Sequence, residues 1–232
     1  MEELNQSGQL KDDDILVTVD VCSLYTNLDM TEGLEACREA LEDRNDKKVP
    51  TDFIIKLLEI ILKYNIFEFN EEMFIQMIGT AMGAVPAVSY ANITMAKVID
   101  PKLLEAAENF KTNDVFPIIF MKRFLDDIKM VWRGSVEKLH AFLDAINQIH
   151  PSLKFTLSHT TSKYPGDSCE CPAATSIPFL DTSCSIVNGI IKTDLYKKET
   201  DRNQHLLLPP CPCDVKYILL SRPQNCPYLF RS

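Results

Sequence analysis

Two adjacent carboxylates, Asp126 and Asp127, stand between two apolar stretches of the chain. The stretches, 117–124 and 128–132, each predict a short strand, so the whole segment predicts a hairpin with carboxylates at its turn. Two like charges held side by side are costly unless a cation lies between or beside them. Such oxygen ligands suit a pair of hard metal ions that serve phosphoryl transfer. An acidic pair in a turn is, however, equally typical of a solvated surface.

A third carboxylate, Asp20, closes the apolar and β-branched run 15–19, which predicts a buried strand. An aspartate there could simply cap the turn after the strand. In combination, one carboxylate at a strand end and two on a hairpin tip could bind two divalent ions. Polymerase palms use that layout to activate a primer 3′-hydroxyl and to stabilise the leaving pyrophosphate.

Two further features fit a nucleotide site beside these acids. Tyr25 follows Asp20 closely, where its ring would lie under the sugar of a bound nucleotide and clash with a ribose 2′-hydroxyl. A core tyrosine beside a strand is an equally good interpretation. The stretch from Gln76 through Gly79 to Gly83 precedes a predicted helix, and glycines let a backbone approach a base pair closely. It therefore predicts a platform for the templating base, although an ordinary loop would look the same.

Helices and strands alternate along the chain to position these residues. Apolar periodicity and capping residues, among them Thr31, Thr51 and Ser135, predict helices over 31–43, 51–62, 87–108 and from 136 towards 150. Strands are predicted over 15–19, 66–69, 73–76, 117–124, 128–132, 153–157, 177–187 and 190–197. The last two flank Asn188-Gly189, a strong signal for a two-residue hairpin. Hairpins outnumber parallel crossovers, so the predicted class is α+β with an antiparallel sheet flanked by helices.

Composition excludes some classes of protein. The chain has 232 residues, is 46% hydrophobic and contains no apolar run long enough to span a bilayer. Its polar, acidic start does not resemble a secretory signal, so we expect an intracellular, reducing setting. The net charge of −9 argues mildly against nucleic-acid binding. A metal site built of carboxylates would itself make a palm acidic, with the basic surface supplied by other parts.

The eight cysteines leave one metal site to consider. The pairs Cys169 and Cys171, and Cys211 and Cys213, could form two halves of a four-thiolate zinc site. Zinc ligands are usually separated by two residues, whereas each of these pairs is separated by one. Free thiols in loops are the alternative.

Several short motifs occur together in one order, at 20–28, 76–83, 89–92, 123–128, 179–182 and 195–201. With these motifs the chain resembles the reverse transcriptase of Penelope-like retroelements, a relative of telomerase reverse transcriptase, over roughly residues 15–220. The resemblance implies a polymerase palm that uses two Mg²⁺ ions, or Mn²⁺, to add dNTPs to a DNA primer on an RNA template. It also suggests residence in the nucleus.

The resemblance implies a role for each motif residue. The catalytic metal ligands would be Asp20, Asp126 and Asp127. The substrate-binding residues would be Tyr25 as sugar gate, Phe124 beside the primer end, and Gln76, Gly79 and Gly83 in the template platform. Lys198 lies in a late motif of the family and receives no catalytic role.

The chain also departs from the family. Ala87-Val88 stands where the family has Ala-Pro, and Pro86 lies one place early. Only 19 residues precede Asp20, fewer than the fingers of a reverse transcriptase occupy. We therefore expect a polar lead at 1–14, a palm domain at 15–200 and a Pro/Cys-rich remnant of the thumb-side region at 201–232. Whether this truncated chain is active on its own is a question for a primer-extension assay.

Three alternatives remain. The first is the palm of a viral-type RNA-dependent RNA polymerase, against which Tyr25 argues, as does Phe-Leu-Asp-Asp in place of Gly-Asp-Asp. The second is a non-catalytic nucleic-acid-binding or protein-binding remnant of a decayed element. The third is an α+β domain whose acids are ordinary surface charges.

Overall fold

The computed structural model of the chain describes residues 2–6, 8–161 and 174–198. Most of them belong to one compact unit, Met1–Tyr196. Both predicted zinc-ligand pairs and the segment 201–232 lie outside the described residues.

Helices and strands alternate as predicted. The helices are α1 (Glu2–Gln6), α2 (Leu24–Asn27), α3 (Met30–Glu42), α4 (Thr51–Lys63), α5 (Ala87–Thr94), α6 (Asp100–Glu108) and α7 (Val136–Ile146), with a π-helical turn (Met95–Ile99) joining α5 to α6. The strands are β1 (Ile15–Val21), β2 (Ile66–Phe69), β3 (Glu72–Ile75), β4 (Ile118–Phe124), β5 (Asp127–Trp132), β6 (Phe155–His159), β7 (Ile177–Phe179), β8 (Thr182–Val187) and β9 (Ile190–Leu195). The class is α+β, as predicted.

A four-stranded antiparallel sheet forms the centre of the fold, in the order β4-β5-β1-β6. Side chains alternate between its two faces. On the first face, residues such as Val17, Val19 and Trp132 pack with α3 to α7 in the main core. The second face carries Leu16 and Val131, which form a smaller core with the sheet β7-β8-β9. The central sheet is therefore covered by helices on one side and partly covered by a second sheet on the other.

Helix starts were predicted with mixed success. Ser135 caps α7 as predicted, since its side chain accepts a hydrogen bond from the backbone N–H of Lys138. The cap of α3 is Asp29, which accepts from the N–H of Glu32, and the predicted cap Thr31 is wrong. Asp29 fits the rule equally well, because aspartate and threonine are both favoured caps.

The second sheet differs from the prediction at one point. The predicted strand 177–187 is wrong, because a two-residue turn at Leu180 and Asp181 divides it into β7 and β8. Leu180 has a φ of 54°, which leucine rarely adopts. The predicted turn at Asn188-Gly189 is confirmed, with positive φ at both residues.

The polar lead is tied to the fold. Leu4 and Leu10 are buried in the smaller core. Asp14 is also buried, and its two oxygens accept hydrogen bonds from Nε and Nη2 of Arg133, each at 2.7 Å. Asp14, the last residue of the predicted polar lead, is therefore not a solvated surface charge. A buried carboxylate paired with a forked guanidinium fastens the lead to the end of β5.

Many large apolar side chains of α4 and of the hairpin β2-β3 remain exposed. Only part of the apolar side chains of α4 lies in the core. Ile55, Leu58 and Leu62 are buried, but other large side chains are exposed, namely Phe53, Leu57, Ile60, Ile61, Ile66, Phe67, Phe69, Met73, Phe74 and Ile75. Among the described residues, no helix combines the length and the apolar character needed to cross a membrane.

Candidate active site

The predicted carboxylates lie at the same end of the central sheet. Asp20 of β1 and Asp127 of β5 are directly paired residues of the antiparallel ladder, so their side chains leave the sheet on the same face. Asp126 lies in the turn before β5, and its carbonyl accepts a hydrogen bond from the N–H of Val21 at 3.1 Å. The three acids therefore come from two adjacent strands and the turn between β4 and β5.

Alternation along the strands determines which face the acids occupy. Val19, Val21 and Ile128 point into the core beneath the helices, so Asp20 and Asp127 lie on the opposite face. On that face the second sheet covers Leu16 and Val131 further down the strands. Asp20 is exposed and Asp127 half-buried, which leaves the carboxylate end of this face open to solvent.

The charges of the acids act on one another. Partial desolvation raises the pKa of Asp20 above its ordinary value, and the negative charge of Asp126 raises it further. A carboxylate that is forced against another carboxylate is stabilised when a cation binds near both. The electrostatics therefore favour a cation at this edge of the sheet.

Phe124 extends the same face. It is the last residue of β4 and pairs with Asp127, so Phe124, Asp127 and Asp20 form a row across three strands. The residue is 57% exposed, which is unusual for phenylalanine in a strand. An open aromatic side chain next to a row of carboxylates can stack against a planar ligand.

Tyr25 and Gly79 are also brought together. Tyr25 lies in α2, immediately after the end of β1, and its carbonyl accepts a 2.7 Å hydrogen bond from the N–H of Thr80. Gly79 has a φ of +75°, and a Cβ atom there would lie 2.2 Å from the same carbonyl oxygen. The loop therefore docks backbone to backbone against α2, which requires glycine at this position.

The other two platform residues lie differently. The side chain of Gln76 donates to the carbonyl of Ile78 at 2.9 Å, and its Oε1 accepts from Nδ2 of Asn65 at 3.4 Å, so it is engaged by its own loop and by the residue before β2. Gly83 faces open space, with no atom within 4 Å of the position of an added Cβ. Of these contacts of the three predicted platform residues, only those of Gly79 reach the backbone of the segment that carries Tyr25.

The donor set can be compared with the needs of a metal ion. Within the described residues, no group of three or more His, Cys, Asp or Glu side chains is arranged to hold a metal ion by itself. Magnesium does not need such a group, because it is commonly held by one or two carboxylates, with water and substrate phosphates completing its shell. Asp20 and Asp126, whose charges are already coupled, fit that requirement.

Arg123, Asn92 and Asp100 are not among the predicted site residues, although they make the densest hydrogen-bond network beside the acidic turn. Arg123 and Asn92 lie within two of the resemblance motifs, and that position was the available signal. Asp100 carried no signal, because an aspartate in a helix is usually a solvated surface residue.

Comparison with solved structures shows the fold. The chain is similar to apo telomerase from Candida tropicalis, with a TM-score of 0.59 and 11% identity over 83% of this chain and 34% of that one. It is similar to telomerase from Candida albicans in complex with a TWJ fragment of telomeric RNA, with a TM-score of 0.53 and 11% identity over 83% and 32%. The RNA-dependent RNA polymerase of BmCPV at its elongation state gives a TM-score of 0.50 and 14% identity over 78% and 16%.

The chain has a palm-like polymerase fold. It spans about a third of the length of the telomerase chains and less of the viral polymerase. No family model and no curated protein sequence matches it. The likeness therefore rests on the arrangement of the strands and helices, which telomerase and viral RNA polymerases share.

Proposed function

We propose that this chain is the palm of an RNA-directed DNA polymerase related to that of Penelope-like retroelements. It would transfer deoxynucleotides to the 3′-hydroxyl of a DNA primer on an RNA template. The observation that carries the proposal is the pairing of Asp20 with Asp127, with Asp126 beside them, at the open end of a palm-like sheet. An element of this kind would work inside the cell, and a nuclear setting is part of the proposal.

The chain's own residues would act at this edge in distinct ways. Asp20, Asp126 and Asp127 would hold two Mg²⁺ ions, or Mn²⁺. When bound, such ions activate the attacking hydroxyl and neutralise the leaving pyrophosphate. The exposed ring of Phe124 would support the primer end at the same row. The carboxylates must be deprotonated to bind a cation, so the raised pKa of Asp20 sets a lower pH limit for the reaction.

The deoxynucleotide substrate is proposed from the resemblance at Tyr25, whose half-buried side chain packs against the main core. The docked loop at Gly79 and Thr80 holds the backbone of Tyr25, which restricts where its ring can lie. A ring fixed beneath the sugar would exclude a ribose 2′-hydroxyl. In Tyr25→Ala we expect ribonucleotide use relative to deoxynucleotide use to rise by about 10-fold or more, as for removal of a steric barrier of about 1–3 kcal/mol. Single-nucleotide primer extension with dNTPs or rNTPs measures the ratio. Equal ratios in both proteins would contradict a sugar-gating role of Tyr25, and a preference of the unaltered chain for rNTPs would favour the RNA-polymerase alternative.

Primer extension on an RNA template with Mg²⁺ or Mn²⁺ tests the whole proposal, with Asp126→Asn as the inactive variant. The chain contains a matched control in Asp181→Asn. Asp126 and Asp181 each follow a leucine of positive φ in a two-residue turn after Phe124 or Phe179. We expect Asp126→Asn to abolish extension and Asp181→Asn to retain it. Absence of extension by the unaltered chain at any protein concentration would contradict the proposal.

The non-catalytic alternative makes a different prediction. A remnant that only binds nucleic acid would bind primer–template equally well without divalent ions and with Asp126→Asn. Calorimetric titration with Mn²⁺, in the presence and absence of primer–template, separates the two functions. Metal binding that depends on Asp126 supports the polymerase.

A further inference from the structure

The side chain of Arg123 fastens the acidic turn to the helix behind it. It lies near the end of β4 and is only 10% exposed. Its Nε donates to both carboxylate oxygens of Asp100 at 3.0 and 3.1 Å, and Nη2 donates to one of them at 3.0 Å. Nη1 donates to Oδ1 of Asn92 at 3.0 Å and to the carbonyl of Leu125 at 3.1 Å. Nη2 also donates to the carbonyl of Asn92 at 3.4 Å. All five donors of the guanidinium are thereby engaged.

The bond to Leu125 has a particular consequence for the acids. Leu125 has a φ of 56°, in the left-handed region that a branched side chain disfavours, so the turn does not hold this shape by local preference. The carbonyl that Arg123 holds belongs to the planar peptide that joins Leu125 to Asp126. Fixing this carbonyl therefore fixes the direction in which the chain enters Asp126.

The π-turn between α5 and α6 allows both Asn92 and Asp100 to contact Arg123. Asn92 and Asp100 are eight positions apart, and on an ideal α-helix they would point about 80° apart. The π-turn Met95–Ile99 lies between them, and the N–H of Asp100 donates to the carbonyl of Met95, five residues earlier. A π-turn rotates the chain by a smaller angle per residue than an α-helix, so it reduces the angle between the side chains of Asn92 and Asp100. Both side chains consequently meet the same guanidinium.

We propose that Arg123, gripped by Asn92 and Asp100, is a positioning residue that sets the metal-binding geometry of the acidic turn. This inference rests on the proposed polymerase function. Arg123 does not itself touch the metal or the substrate. It holds the strained turn so that Asp126 faces Asp20, and loss of such supporting contacts typically weakens metal binding by about 10- to 100-fold.

The decisive variant is the double substitution Arg123→Leu with Asp100→Leu. Each single substitution leaves an unpaired charge, which destabilises the fold by itself, whereas the double variant removes both charges. We expect the double variant to recover most of the stability that Asp100→Leu loses in urea denaturation. We expect Mn²⁺ affinity, measured by electron paramagnetic resonance, to stay about 10- to 100-fold weaker than in the unaltered chain. Amide hydrogen exchange at residues 124–127 of the double variant should also be faster than in the unaltered chain.

The ion pair of Arg133 and Asp14 is the matched control. It joins a forked guanidinium just after β5 to a carboxylate just before β1, at the end of the central sheet away from the acids. Arg133→Leu with Asp14→Leu should change stability while leaving Mn²⁺ affinity and exchange at 124–127 unaltered. Equal effects of the two double variants on those readouts would overturn the proposal. So would unchanged exchange and Mn²⁺ affinity in the Arg123 double variant.

The outcomes also separate this inference from the proposed function. If the unaltered chain binds Mn²⁺ independently of Asp126, the polymerase proposal fails, while hydrogen exchange at 124–127 still decides whether Arg123 holds the turn. If Mn²⁺ binds through Asp126 but with the same affinity in the Arg123 double variant, the polymerase proposal stands and the positioning role fails.

Discussion

Replacing Gly79 by alanine would test how the loop before α5 is docked. The added Cβ would lie 2.2 Å from the carbonyl oxygen of Tyr25 and 2.7 Å from two backbone atoms of Thr26. Backbone atoms cannot rotate out of the way as a side chain can. We therefore expect the loop to leave α2, with loss of the hydrogen bond from Thr80 to Tyr25.

The expected cost follows from these contacts. A left-handed conformation costs a non-glycine residue about 1–2 kcal/mol. The lost hydrogen bond contributes about 1 kcal/mol. Alanine also makes the unfolded chain less flexible than glycine does, which offsets about 0.4–1 kcal/mol of this loss of stability. The net loss is about 2 kcal/mol, or a melting temperature lower by about 4–8 °C for a domain of this size.

Thermal denaturation of Gly79→Ala beside Gly83→Ala provides the measurement. Gly83 belongs to the same loop, has no atom within 4 Å of an added Cβ and does not have a positive φ. Its replacement should change stability by less than about 0.5 kcal/mol. Equal melting temperatures for the two variants would refute the docking of the loop at Gly79.

Two further predictions concern charged groups. Asp126→Asn should lower the pKa of Asp20, because it removes one of the two causes that raise this pKa, the negative charge of Asp126. The variant should also be more stable than the unaltered chain at pH values above the pKa of Asp20, where Asp20 is ionised. A carboxyl NMR titration of Asp20 with an unmoved midpoint would contradict the coupling. Arg133→Leu should destabilise the fold by about 3 kcal/mol in urea denaturation, because it leaves the buried carboxylate of Asp14 unpaired. Arg38→Leu, which breaks an exposed pair, should lose less than about 1 kcal/mol, and similar losses would contradict this reasoning.

The sequence predicts the parts of this fold that depend on short-range patterns. Apolar runs predict β1, β4 and β5, and these strands are enough to bring Asp20 to the acidic turn. The break between β7 and β8 escapes prediction because Leu180 carries a left-handed turn without glycine or asparagine. A repeated tripeptide was the available sign, since Phe-Leu-Asp occurs at both turns.

The long-range contacts could not be read from local patterns. The burial of Asp14 depends on Arg133, which lies 119 positions away in the sequence. The π-turn has one local indication, Pro101, which lacks the N–H that an α-helix would need at that point. Its consequence, the alignment of Asn92 with Asp100, becomes visible only when Arg123 is placed beside both.

The exposed apolar surface of α4 and the hairpin β2-β3 has a consequence for the behaviour of the chain in solution. Exposed apolar side chains favour self-association, while the net charge of −9 keeps copies apart by repulsion. Salt shortens the range of that repulsion to about 10 Å at 0.1 M and about 3 Å at 1 M. The chain should therefore stay dispersed in dilute buffer and associate as the salt concentration rises.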